Sequence, residues 1–322
     1  MTPIRAPRRS FVLAALSLPL AAMAFPDKTI EWVVPYPAGG GSDVVARTLT
    51  EPMGKALGQT IVVNNKPGAA TNIGADYVAK GKADGHLLLT ADTATLAANP
   101  FLYSKLSYNV EKDFAAVGLM ARFPMLLVVN PAVPVKNLAE FSAWAKQQPQ
   151  PPAYATPGSG SPHHLATELF RERAGLKFTH VPYRGAAPAV QDVIGGQVPF
   201  MFADSASAYP HIVSGKLRAI GVASPKRVAG FDTVPTLQEQ GVKDFEAYAW
   251  QGLVVPAGTP PQAIAALNKA LVSALQSTAV KARFQTLGLE AIPSSPQEMA
   301  AYAKSEREKW GKVIRANDIR LD

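Results

Sequence analysis

Cysteine is absent from this chain of 322 residues, and histidine occurs only five times. Without cysteine there are no disulfides, no thiolate metal sites and no cysteine catalysis. Basic residues exceed acidic ones by eight, but no concentrated Lys/Arg run carries interleaved aromatics, so the sequence argues against nucleic-acid binding. A mild positive field of this kind suits anionic small molecules.

Segments of transmembrane length are also missing. The uncharged stretch 10–26 falls short of the roughly 20 apolar residues that span a bilayer. Residues 1–24 instead have the pattern of an export signal, with Arg5, Arg8 and Arg9 before an apolar segment and a small-x-small cleavage site at 22–24. Arg8 and Arg9 also fit a twin-arginine signal, so the sequence leaves both export routes open. Export without cysteine predicts a bacterial periplasmic protein that is soluble after signal cleavage.

Strand-like apolar runs alternate with helix-like periodic runs along most of the chain. The first strand candidate, 30–34, precedes a helix face made of Val45, Leu49, Met53 and Leu57 at a spacing of four. The C-terminal part is helical, with capping patterns near Thr259 and at 295–298. The alternation predicts an α/β fold with mainly parallel sheets, in a chain long enough for two lobes.

The most informative segment is PYPAGGGSD at 35–43, where the first strand candidate meets a helix pattern. Glycines let the backbone approach a small molecule, and the first N–H groups of a helix lack internal partners. Such a junction favours a bound anion. We expect the backbone of Gly40, Gly41 and Ser42 to bind, and Asp43 to have a structural role. Ser42 caps the helix or turns its hydroxyl toward a ligand.

Four further junctions end strand candidates with small or hydroxyl residues. After 86–90, Thr93 is the better ligand candidate. At 156–164, Gly158 and Gly160 leave the backbone accessible to a ligand, and Ser161 is the candidate N-cap of the next helix. At 181–188 a helix begins near 188, and Arg184 either pairs with an anion or is solvated. After 200–202, Asp204 either accepts from a ligand or caps a helix.

Enzyme patterns are weak in this sequence. His163 and His164 are adjacent, whereas zinc-binding histidines on one helix are three or four residues apart. Ser159 and Ser161 do not fit the Gly-x-Ser-x-Gly nucleophile motif. We therefore expect no catalytic residues, no metal site and no cofactor.

Taken together, the motifs closely resemble those of the Bug family, the periplasmic solute-binding receptors of tripartite tricarboxylate transporters. The matching segments cover essentially the whole mature chain in order, at 34–47, 64–74, 84–85, 113–114, 127–131, 158–166, 180–189, 256–260 and 309–314. Each segment alone is weak evidence for the family, whereas the whole set in this order is highly specific for it.

The resemblance implies a periplasmic-binding-protein-like fold of two α/β lobes that close on a ligand, with residues 25–125 plus 247–322 in lobe 1 and 126–246 in lobe 2. It implies that one ligand carboxylate lies between the first loop (residues 38–42) and the second loop (residues 159–161). Backbone N–H groups, hydroxyls and ordered water would hold it. The expected ligand-binding residues are Ala38, Gly40, Gly41, Ser42, Thr93, Ser159, Gly160, Ser161, Tyr183, Ala187 and Asp204.

One departure bears on specificity. The family commonly has Phe-Asp-Asn after the strand near Phe202, whereas this chain has Ala203 and Asp204. The acid has moved one place or been lost, and the following 205–207 also departs from the usual pattern. If the family's acid contacts the distal part of the ligand, specificity is expected to differ from that of the receptors for acidic amino acids.

The sequence thus predicts a monomeric periplasmic receptor that captures a small carboxylate and delivers it to the large and small permease subunits of a tripartite transporter. Two alternatives remain at this stage. One is a sensory receptor that serves a signalling partner, and the other is a periplasmic hydrolase.

Overall fold

The computed structural model describes residues 25–321, so the expected signal peptide at 1–24 lies outside the described residues. The strands are β1 Ile30–Val34, β2 Ile61–Asn65, β3 Leu87–Asp92, β4 Phe114–Val129, β5 Ala153–Thr156, β6 Thr179–Pro182, β7 Phe200–Asp204, β8 Arg218–Val222, β9 Tyr248–Pro256 and β10 Glu290–Ala291. The helices are α1 Gly41–Leu57, α2 Asn72–Ala79, α3 Asn99–Leu102, α4 Leu138–Gln147, α5 Pro162–Ala174, α6 Ala186–Ile194, α7 Ser205–Val213, α8 Pro261–Gln276, α9 Thr278–Thr286 and α10 Pro296–Ala316. A 3-10 turn covers Ala69–Thr71, and a π-helical turn covers Thr93–Ala98.

The strands form one curved sheet in the order β2-β1-β3-β9-β4-β7-β5-β6, and β8 and β10 also pair with β4. The pairs of β1 with β2 and β3 are parallel, as are those of β5 with β6 and β7. All pairs made by β4 and β9 are antiparallel. The sheet is therefore mixed. The prediction of mainly parallel sheets holds only for the outer strands, because β4 and β9 run against them through the centre.

Strand β4 joins the two halves of the molecule. Its first part, 114–124, pairs with β9, and its last part, 125–129, pairs with β7. The chain returns at Ala247, whose N–H donates to the carbonyl of Ala223, and Ala223 in turn donates to the carbonyl of Met125. The two segments that cross between the halves, at Met125 and at Ala247, are thereby linked through Ala223.

Helix α1 follows the predicted pattern. Val45, Leu49 and Met53 are fully buried against the sheet, since a spacing of four keeps them on one face. The helix remains continuous across Pro52. At the other end of the chain, Ser295 caps α10 in the predicted capping box. The predicted cap at Thr259 is wrong, because α8 begins after Pro260 and the Thr259 hydroxyl donates to the carbonyl of Pro256.

Three buried apolar clusters stabilise this arrangement. One surrounds Trp32 and α1 in the first half, and a second surrounds Val190 and α6 in the other half. The third spans both halves and contains Trp250, Trp310 and Phe200. Across residues 25–321, no single helix is long and apolar enough to cross a membrane; α8 and α9 together, bent by 65°, meet the criteria of length and composition.

Candidate functional site

The first loop ends where α1 begins. Gly40 precedes the helix and, among the described residues, no side chain caps it. Ala38, Gly40 and Gly41 are exposed. The N–H groups of the first helical turn are therefore left for a ligand or water, at the positive end of the helix dipole.

Asp43 supports this loop from inside. It is 2% exposed and accepts hydrogen bonds from the N–H of Gly39 at 2.8 Å, from Arg47 at 2.9 Å and from the Asn65 amide at 2.9 Å. Burial raises the pKa of Asp43, but the bonds from Arg47, Gly39 and Asn65 outweigh burial and hold the pKa below its ordinary value. These contacts agree with the structural role expected for Asp43.

Ser42 does not cap α1. Its Oγ accepts a hydrogen bond from Nε2 of Gln251 in β9 at 2.6 Å, which leaves the hydroxyl hydrogen of Ser42 able to donate. Gln251 is 5% exposed, and its Oε1 has no partner within residues 25–321. Sequence reasoning missed Gln251, because 209 residues separate it from Ser42 and no local motif marks it.

Thr93 lies inside the core and not at an open surface. Strand β3 continues to Asp92, two residues beyond the predicted end, and Thr93 begins the π-helical turn. Thr93 is 0% exposed, and its Oγ1 accepts from the N–H of Trp250 at 3.1 Å. Asp92 caps the turn and accepts a bond from the Tyr36 hydroxyl. In this structure the Thr93 hydroxyl joins the turn to β9, and contact of Thr93 with the ligand stays a prediction.

The second loop leads into α5. Ser161 caps the helix through a bond from the N–H of His164 at 3.3 Å, as predicted. Ser159 is partly exposed. Gly160 has φ +74°, and a Cβ there would lie 2.4 Å from Cδ1 of Leu102, so the position requires glycine. Its N–H already donates to Nδ1 of His164 at 3.0 Å, so this amide is engaged within the protein.

A stack of rings lies under the second loop. His164 and His180 are parallel with centroids 3.9 Å apart, and Tyr154 lies 5.0 Å from the ring of His180. Burial lowers the pKa of both histidines to about 4; Arg171 adds to the effect for His164, and His164 adds to it for His180. Both imidazoles are therefore neutral near pH 7, which allows His164 to accept from Gly160.

The fourth junction lies beside the second loop. The N–H of Gly185 donates to the carbonyl of Pro157 at 3.0 Å, and α6 begins at Ala186, two residues before the predicted start. No side chain caps α6 among the described residues, and Ala187 is exposed in its first turn. The Tyr183 hydroxyl donates to Asp192 at 2.7 Å; burial first, and then Asp192, raise the pKa of Tyr183 to about 12. Its hydroxyl is thus engaged within the protein.

Asp204 caps α7 and also contacts a histidine. Its carboxylate accepts from the N–H of Ser207 at 2.9 Å and lies 3.2 Å from Nε2 of His163. Burial raises the pKa of Asp204, but His163 and Ser207 outweigh burial and hold the pKa below its ordinary value. The sequence left two roles open for Asp204, acceptance of a ligand hydrogen bond and helix capping. The structure shows that Asp204 caps a helix.

The structure brings residues of both halves to the crossing of β4. A Cβ on Gly41 would lie 3.2 Å from Phe123, and Met125, two residues further along β4, is paired with Asp204. Gly160 contacts Leu102 of the other half. Helices α1, α5 and α7 begin directly after β1, β5 and β7, and each of these strands has a parallel neighbour. The carboxyl ends of such strands are where α/β proteins bind ligands. Residues 25–321 contain no group of three or more His, Asp or Glu side chains suited to a metal ion.

Comparison with known proteins identifies the family. Residues 45–319 match the tripartite tricarboxylate transporter family receptor. The chain is 36% identical to BugT of Bordetella pertussis over 309 residues, which cover 96% of this chain and 95% of BugT.

Solved structures are similar over nearly the whole chain. A protein of R. palustris solved with adipate has a TM-score of 0.86 and 32% identity, covering 92% of this chain and all of that one. MatC from Rhodopseudomonas palustris with bound malate has a TM-score of 0.81 and 34% identity, covering 90% of this chain and all of MatC. These proteins are substrate-binding receptors, not enzymes, which removes the hydrolase alternative. The chain belongs to the tripartite tricarboxylate transporter receptor family, and its fold is the two-lobed α/β fold of periplasmic binding proteins.

Proposed function

We propose that this protein captures a small carboxylate between its two lobes and delivers it to the membrane permease of a tripartite transporter. The observation that carries the proposal is the uncapped start of α1 at the exposed first loop, beside the crossing strand β4. A carboxylate there would accept from first-turn N–H groups and be stabilised by the helix dipole.

Two further features support an anion at this place. The Ser42 hydroxyl accepts from Gln251, so its hydrogen is able to donate to a ligand. The solved relatives with adipate and malate point to dicarboxylates as the class to test first.

The proposed lobes are residues 25–125 plus 247–322 and residues 126–246. Their boundaries fall at Met125 and Ala247, which are bonded to one another through Ala223. Short crossings of this kind allow hinge closure around a ligand, and the closed form would be what the large and small permease subunits recognise. We propose that the protein acts as a monomer in the periplasm, the compartment of this family's receptors, after removal of residues 1–24.

Binding is tested by a thermal-shift screen of the purified protein against organic acids, followed by calorimetry. A ligand present at a hundred times its Kd should add ~2.7 kcal/mol to the free energy of unfolding. Adipate, malate and succinate form the first set, and the corresponding amides are the matched neutral controls. Stabilisation by the acids alone supports the proposal. Stabilisation by the neutral amides to the same extent as by the acids contradicts it. A lack of stabilisation by every acid in the set also contradicts it.

Delivery to a permease requires a separate experiment. Cells that lack the receptor gene should lose uptake of the labelled ligand, and uptake should return with the wild-type gene but not with Gly41→Asp. Uptake that persists without the receptor, with loss of a transcriptional response instead, would favour the sensory alternative.

A further inference from the structure

The tail that follows α10, residues 317–321, has a fixed direction. The N–H of Ile319 donates to the carbonyl of Ile314 at 3.1 Å, and the N–H of Asp318 donates to the carbonyl of Arg315 at 3.3 Å. Asp318 has a φ of +47°, in the left-handed region. This pair of bonds with a left-handed residue is the Schellman motif, which ends a helix and turns the chain away from its axis.

The turn brings Leu321 into contact with both halves of the molecule. Its N–H donates to the carbonyl of Leu102 in α3 at 2.9 Å. A Cβ on Gly160 would lie 3.2 Å from Cδ1 of Leu321 and 2.4 Å from Cδ1 of Leu102. The two leucine side chains therefore lie directly against the backbone of the second loop, which belongs to the other proposed lobe.

A second contact joins the tail to the same lobe. The guanidinium of Arg171 in α5 donates to Oδ1 of Asn317 and forms an ion pair with Glu168 at 2.7 Å. Glu168 is 7% exposed and accepts from the hydroxyl of Tyr154 at 2.7 Å. Because Tyr154 belongs to the stack of rings under the second loop, the tail is linked to the support of this loop as well as to its backbone.

The contact of Leu321 lies away from the crossing strand. The second loop follows β5, and β7 lies between β5 and β4, so the loop is about 10 Å from β4. The hydroxyl of Ser205 donates to the carbonyl of Gly288 much closer to β4, since Ser205 directly follows the residue paired with Met125. A rotation about β4 moves atoms in proportion to their distance from it. Opening of the lobes would therefore part Leu321 from Gly160 further than it parts Ser205 from Gly288.

We propose that Leu321 holds the second loop against the other lobe and thereby favours the closed form, as a positioning residue that does not touch the ligand. This inference rests on the proposed function, which places the ligand between the lobes. The apparent affinity of a ligand scales with the population of the form that is competent to bind it. Loss of the contact should therefore weaken the binding of different ligands by one common factor.

The test compares Leu321→Ala with two other variants by calorimetry with adipate and with malate. Leu57→Ala is the matched control, because Leu57 is also a partly buried leucine at a helix end and packs on the cluster around Trp32. Leu321→Met keeps the volume of the side chain and should restore most of the affinity. Stopped-flow displacement measures the rate of ligand release, and thermal unfolding verifies that each variant is folded.

We expect Leu321→Ala to weaken the binding of both acids by about fivefold and to speed their release by a similar factor, because release requires opening. Leu57→Ala should leave both quantities at their wild-type values.

Three outcomes would contradict these proposals in different ways. If Leu321→Ala binds and releases both acids like the wild type, Leu321 has no role in closure, while the proposed function stands. If Leu321→Ala weakens the binding of only one acid, the side chain acts on specificity and the closure role is wrong. If the wild type binds no acid of the screen, the proposed function itself fails.

Discussion

The backbone N–H of Gly160 donates to Nδ1 of His164 across 3.0 Å, so the conformation of the second loop depends on a buried imidazole. The same ring stacks on His180 at 3.9 Å. A protonated Nδ1 cannot accept a hydrogen bond. The bond to Gly160 therefore exists only while His164 is neutral, and acidification removes it.

We expect the protein to lose stability as pH falls from about 6.5, where unfolded histidine titrates, to about 4, where the pKa of His164 and His180 lies. Because the folded protein binds these protons only at lower pH, their effect on the free energy of unfolding is absent above that window and complete below it. The loss is on the order of 3 kcal/mol for His164. Urea denaturation at half-unit steps of pH measures it.

Two histidine variants serve as the comparison for this window. His164→Gln keeps an acceptor for Gly160 and should make stability less dependent on pH between 4 and 6.5. His211→Gln, outside the stack, should keep the wild-type dependence. A wild-type slope in His164→Gln would show that the stack does not control this titration.

Gly41→Asp should strongly weaken ligand binding while the protein stays folded. The new carboxylate would stand in the first turn of α1, where it repels an anionic ligand but interacts favourably with the helix dipole. We expect a loss of affinity on the order of 100-fold. Calorimetry with the best ligand of the screen measures this loss, and the thermal midpoint checks the fold.

Gly41→Ala separates charge from shape at the same position. Its Cβ would lie 3.2 Å from Phe123, so a small shift of that ring suffices. We expect a loss of affinity below about tenfold, because the N–H groups of the turn are retained. Equal losses of affinity in the Ala and Asp variants would mean that the added side chain blocks the ligand sterically and that charge repulsion contributes little.

Ser42 and Gln251 should act as one unit in binding. Ser42→Ala removes the hydroxyl, and Gln251→Leu removes the donor that orients it. Each variant should weaken binding by about tenfold, and the double variant should be little worse than either. A full double-mutant cycle by calorimetry measures the coupling. Additive losses would contradict the idea that Gln251 acts through Ser42.

Asp43→Asn should destabilise the protein and loosen the first loop. The amide cannot accept all three donors, so Gly39 or Arg47 loses its partner. We expect a cost of about 1–3 kcal/mol in the free energy of unfolding. Since the pKa of Asp43 is held low, this stabilisation is present above the unfolded pKa and lost as pH falls through the folded value. Asp244→Asn, at an exposed turn, is the control.

Local patterns in the sequence determined the elements around the site. Apolar spacing of four predicted the buried face of α1, and Ser161 and Ser295 were recognised as caps because capping is decided within three residues. The glycines at 39–41 predicted an open helix start for the same reason. These features depend on contacts between near neighbours, which a linear pattern records.

Contacts between distant segments were decided only by the tertiary structure. Gln251 reaches Ser42 across 209 residues, and His163 reaches Asp204 across 41, and neither pair leaves a periodic trace in the sequence. Thr93 is small and polar, as a ligand contact would be, yet the packing of β9 buries it. The sequence by itself determined where backbone donors are exposed, because the start of a helix depends on neighbouring residues. Which side chains surround those donors was decided by the tertiary structure, because they come from distant segments that pack around one strand.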